Sequence, residues 1–132
     1  MEGSPLRSEF DFSRSPFTVA WEVTRACALR CVHCRAVAQP RRHPDELTTA
    51  EGLELVRQMA EVGARVLVLT GGDPFMRPDI EEFVRHGKSL GLRVALSPSA
   101  TARVTRARME RIAAAGVDTV HISLDGATAE VH

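Results

Sequence analysis

The chain has no excess charge: 17 lysine and arginine residues face 17 aspartates and glutamates, for a formal net charge of zero. With no overall field to draw in a polyanion, neither nucleic acid nor an anionic membrane surface is an expected partner. No apolar run reaches the roughly 18 residues of a membrane-crossing helix. The first 16 residues also lack the apolar core of a signal peptide, so the expected location is cytoplasmic. Cysteine is scarce, three residues in 132, and none lies outside residues 27–34. A shared metal is favoured over a disulfide, because a bridge within so short a loop is strained and leaves one thiol over.

What is present is concentrated in that same stretch. Cys27, Cys31 and Cys34 are spaced x3 then x2, directly after an apolar run at residues 17–23. Thiolates are soft ligands that favour iron–sulfur clusters and zinc. Three of them can hold three irons of a cubane [4Fe–4S] cluster, where the usual ferredoxin site supplies four, so one iron would stay open for chemistry. The competing reading is a structural zinc site in which His33 or His43 completes a Cys3His tetrahedron. Either metal needs reduced thiols, as a reducing compartment provides.

Residues 1–16 are polar with Gly3, Pro5 and Pro16 and read as a flexible lead-in, with Phe10, Phe12 and Phe17 pinning it to a core domain spanning 17–132. Residues 17–23 are β-branched and aromatic and predict the first strand, with Trp21 in the core. Residues 35–46, with their prolines, arginines and His43, predict an exposed loop. Thr48 and Glu51 form a potential capping box for a helix that Gly63 ends. Residues 66–69 predict a strand buried on both faces. Pro78 is placed to open a second helix carrying Ile80, Phe83, Val84 and Leu90, stopped by Gly91. Residues 92–96 predict a third strand, Thr105 caps a third helix bearing Met109, Ile112 and Ala113, and residues 117–124 predict a fourth strand.

This is a repeating βα unit, hence an α/β fold with a parallel sheet and right-handed crossovers. Periodicity leaves open whether the sheet is doubly wound or a barrel. In both, ligands collect at the carboxyl ends of the strands. The cysteine loop, Gly71-Gly72-Asp73-Pro74, Ser97-Pro98-Ser99 and Ser123-Leu124-Asp125-Gly126 each follow or end a strand, so every distinctive polar feature falls on one rim.

The run from Cys27 to Cys34 resembles the CxxxCxxC motif of the radical S-adenosylmethionine (SAM) superfamily, and residues 70–74 resemble its second motif, usually GGEP, with Asp73 in place of glutamate. The resemblance implies a partial TIM-type barrel of six βα units, of which about four strands and three helices are present. It implies cluster ligands at Cys27, Cys31 and Cys34, contact of Gly71 and Gly72 with the SAM amino group, a carboxylate kept at Asp73, His33 beside the adenine, and Ser123 and Asp125 toward the ribose or methionine portion. SAM would chelate the open iron, and its reductive cleavage would yield a 5′-deoxyadenosyl radical that abstracts hydrogen from a small-molecule or peptide substrate. An electron donor such as a flavodoxin or ferredoxin is the implied partner.

Residues 21–27 and 70–79 look most like the haem-biosynthesis and peptide-modifying branch, which commonly carries a C-terminal SPASM-type domain; none of that domain's cysteines is present. Because the sequence stops just past the fourth predicted strand without a closing element, a truncated core is expected. A zinc-stabilised binding module and an inactive fragment are the alternatives.

Overall fold

The computed structural model describes residues 10–131. Four strands, β1 (Thr18–Glu22), β2 (Val66–Thr70), β3 (Arg93–Leu96) and β4 (Thr119–Val120), form one parallel sheet in the order β1-β2-β3-β4. Helices α1 (Thr49–Glu61), α2 (Ile80–Ser89) and α3 (Arg106–Ala114) make the three crossovers, and a single 3-10 turn, Pro74–Met76, follows β2.

Local chemistry sets the helix boundaries. Thr48 and Glu51 form the complete capping box of α1, each side chain serving the other's backbone N–H, and Thr105 accepts the Arg108 N–H at the start of α3. Gly63, Gly91 and Gly116 end the three helices in the left-handed region that glycine alone enters without penalty. Pro78 is a correction: it lies before Asp79, the N-cap of α2, rather than inside the first turn, and the Asp79 carboxylate is committed to Arg77 instead of capping the helix. Leu90 is likewise outside the apolar face, at the C-cap of α2 and more than a third exposed.

The core lies on one face of the sheet. Leu67 and Leu69 pair in register with Val94 and Leu96, all four are buried, and Val56 of α1, Phe83 and Val84 of α2 and Ile112 of α3 pack against them. Trp21 joins from β1, its ring centroid 4.9 Å from that of Phe83. The other face, with Val66, Val68 and Thr70, is only half-buried, so the strand expected to be covered on both sides is covered on one. Helices on a single face with strands in sequential order are the winding of a barrel segment; a doubly wound sheet reverses order and is covered on both faces. β4 keeps two residues of the predicted eight, with the His121 N–H making the last bond to β3, at the Leu96 carbonyl.

At the amino end, Phe10 stacks edge-on against Phe12 and Phe17, both centroids 5.0 Å away, just before β1. Residues 1–9 lie outside the described residues. Among those described, no helix is long and apolar enough to cross a membrane.

Candidate functional site

The carboxyl ends of β1 and β2 are joined backbone to backbone. Gly72 donates its N–H to the Thr24 carbonyl at 2.8 Å, and Asp73 donates to the Ala26 carbonyl at 2.7 Å. A Cβ on Gly71 would stand 2.2 Å from the Thr24 oxygen and one on Gly72 2.5 Å from the Ala26 oxygen, and Gly71 has a φ of +142°. The close approach that only glycine permits is therefore used first by the stem of the cysteine loop.

Beyond that stem the loop is tied by side chains. The Thr24 hydroxyl donates to Glu46 Oε1 at 2.6 Å and accepts the Ala26 N–H at 3.0 Å; Arg42 Nε donates to Glu46 Oε2 at 2.7 Å. Burial opposes ionisation of Glu46, but the hydrogen bonds from Thr24, Arg42 and the His43 and Arg25 N–H groups prevail and hold its pKa below the ordinary carboxylate value. The Arg25 side chain spans the loop to the Ala36 and Val37 carbonyls, the Cys27 N–H donates to the Gln39 carbonyl and the Gln39 N–H to the Arg25 carbonyl, both at 2.8 Å. The predicted exposed loop at 35–46 is exposed to half-buried and is tied back to the stem of the cysteine loop.

Cys27 is buried, Cys34 half-buried and Cys31 exposed, and all three thiols are free. Residues 28–34 form no helix or strand, and Val32 at their tip is fully exposed. Among the described residues no three His, Cys, Asp or Glu side chains converge as a preassembled metal site. The donor set nonetheless fits a thiolate-bound metal: three reduced sulfurs on one loop, the first anchored and the other two on an irregular turn that has little structure to lose in closing.

His33 and Asp125 meet across the rim, Nε2 to Oδ2 at 3.5 Å, and Ser123 is exposed. Asp73 keeps its carboxylate inside the protein. Its carboxylate is fully buried and turned into the protein, accepting the Phe75 N–H at 3.0 Å to cap the 3-10 turn, with the Ser99 N–H and the Thr101 hydroxyl each at 3.4 Å. Its shorter side chain shapes the glycine turn from within rather than reaching outward. Under the turn, Arg77 is 1% exposed, forks onto Asp79 at 2.8 and 2.6 Å, and donates to the Val23 and Leu47 carbonyls.

Two loops carrying three free thiols and a glycine pair on adjoining strand ends find their counterpart among known proteins: the model of the radical SAM superfamily matches residues 21–132. The chain belongs to the radical SAM superfamily. Among relatives, it is 46% identical over 114 residues to the AdoMet-dependent heme synthase of Oleidesulfovibrio alaskensis, covering 86% of this chain and 29% of that protein. It is 41% identical over 120 residues to the AdoMet-dependent heme synthase of Methanosarcina barkeri, covering 91% and 34%. The mycofactocin maturase MftC of Mycobacterium tuberculosis is 36% identical over 118 residues, covering 89% and 30%. This radical SAM chain therefore spans about a third of the length of the curated relatives it matches.

Sequence reasoning passed over Thr24, Glu46 and the internal role of Asp73. Thr24 and Glu46 are 22 residues apart, and no local pattern marks a contact made only by a folded loop. Arg77-Pro78-Asp79 was visible as a motif, but not as a buried ion pair.

Proposed function

We propose that this chain is the cluster- and SAM-binding part of a radical SAM enzyme, with Cys27, Cys31 and Cys34 holding a [4Fe–4S] cluster. The observation that carries the reading is the joint between the two loops: Gly72 and Asp73 bond directly to Thr24 and Ala26, so the thiols and the glycine turn share one floor. Three thiolates leave one iron without a protein ligand, the position for the SAM amino and carboxylate groups. Held by Cys27, Cys31 and Cys34, the cluster would supply the electron for reductive cleavage of SAM and so the means of abstracting hydrogen from a substrate.

The chain's own residues orient. Gly71 and Gly72 offer backbone to the methionine end, and Asp73 holds their turn in shape from inside. His33 and Asp125, paired over the rim at 3.5 Å, flank the adenosine with Ser123 beside them. Similarity to two heme synthases supports a tetrapyrrole as substrate and a place in haem biosynthesis; similarity to a peptide maturase makes a peptide side chain the second candidate. An electron donor such as a flavodoxin or ferredoxin would deliver the electron, in the cytoplasm.

Anaerobic reconstitution with iron and sulfide tests this. Low-temperature EPR of the reduced protein is expected to show a [4Fe–4S] signal that shifts when SAM is added and that disappears in Cys27→Ala, Cys31→Ala and Cys34→Ala. Tightly held zinc in place of iron, or a signal indifferent to SAM, overturns it.

A further inference from the structure

The loop after β3 reaches both halves of the site through one side chain. Ser99 Oγ lies 3.0 Å from the Gly72 carbonyl oxygen, to which it donates, and 3.5 Å from Cys27 Sγ. It is not a loose surface serine. Its own N–H is directed at Asp73 Oδ1 and the Thr101 hydroxyl at Asp73 Oδ2, both at 3.4 Å, while Pro98 before it is buried. The buried carboxylate thus fixes the backbone that presents this hydroxyl, and the hydroxyl stands between the first cysteine and the second glycine.

A metal-bound thiolate has no proton to give, so within the Ser99–Cys27 contact the serine is then the donor. Its one proton has two acceptors in reach, and bonds to an ionised acceptor are the stronger. Among the described residues the other donor to this sulfur is the Leu29 N–H, at 3.4 Å. Hydrogen bonds to ligand sulfur favour the more negative, reduced cluster and are one of the protein's means of setting its potential.

We propose that Ser99 is a positioning residue that donates a hydrogen bond to the Cys27 sulfur in the loaded protein, raising the cluster's reduction potential and tying the cysteine loop to the glycine turn. The assignment rests on the cluster reading above and adds to it a residue outside both sequence motifs.

The test compares wild type with Ser99→Ala, Ser99→Thr and Ser99→Val in the whole natural chain that contains these residues. Each is reconstituted anaerobically, assayed for iron and sulfide, and titrated with a reductant under EPR without SAM. Ser99→Ala and Ser99→Val are expected to titrate at more negative potentials than wild type, while Ser99→Thr, which keeps the hydroxyl, stays near it. Threonine and valine match in shape, so cluster loss from Ser99→Val alone also supports the hydroxyl's role. Equal potentials for the threonine and valine variants, an alanine variant identical to wild type, or cluster loss from the threonine and valine variants alike overturns the assignment while leaving the cluster reading intact. A wild-type protein that takes up no [4Fe–4S] cluster overturns the proposed function, and this assignment with it.

Discussion

At Gly72 a single hydrogen atom in place of a methyl group decides whether two loops can touch. A Cβ there would sit 2.5 Å from the Ala26 oxygen and 2.7 Å from that of Arg25, both backbone atoms that cannot swing aside. Gly72→Ala is expected to cost about 1–3 kcal/mol through overpacking and to push the stem away next to Cys27. Urea unfolding should show the lower midpoint, and iron bound per reconstituted chain should fall with it. Arg77 is the opposite case, a large charge with no exposure to lose. Burial works against the Asp79 charge, yet the bonds from Arg77 and Thr49 hold its pKa below the ordinary value. Arg77→Met strands that carboxylate and is expected to cost about 3–5 kcal/mol. Adding Asp79→Leu should recover only part of the loss in the same unfolding assay, because the Val23 and Leu47 carbonyls still lack their donor. The glycines were legible from the sequence as a pair after a strand; which neighbour filled the space above them was not.

Among the elements, the cysteine loop depends most on contacts distant in sequence. Its stem is held by Glu46 through Thr24, and Glu46 has a depressed pKa. A carboxylate whose folded pKa lies below its unfolded value of 4.5 contributes stability that is present above that value and lost as pH falls through the folded one. Hydrogen exchange at the Ala26, Cys27 and Gln39 amides, corrected for intrinsic rates, should therefore lose protection as the pH falls below the ordinary carboxylate range. In Glu46→Gln this loss should vanish and protection should start lower; an unchanged profile would remove Glu46 as the anchor. The helices are the contrasting case. The Thr48–Glu51 box, the Thr105 cap and the glycine stops are each written within four residues and could be read directly. Asp79 could not, since a residue with the chemistry of a cap gave its carboxylate to an arginine two positions away.

For the molecule as a whole, the uneven cover of the sheet is the main physical fact. One face carries three helices, the other is half-buried, and β4 is a two-residue edge beyond which Ile122 and Leu124 are 47% and 80% exposed. Unpaired edges and uncovered apolar faces are sites of association. Expressed alone, the 132 residues are expected to self-associate in sedimentation velocity and to enhance the fluorescence of a hydrophobic dye, with Leu124→Lys lowering both; a monomeric, dye-silent chain would show that this face is adequately covered. The sequence by itself determined the βα repeat, the caps of α1 and α3 and the glycine stops, the rim on which the polar motifs gather and the thiol donor set, because each follows from short-range spacing, capping and ligand chemistry. Only the tertiary structure decided that the strands run in sequential order with helices on one face, that β4 stops after two residues, and that Asp73 turns inward while Ser99 reaches Cys27. Those outcomes depend on which backbone groups find partners across the sheet, and no local pattern carries that information.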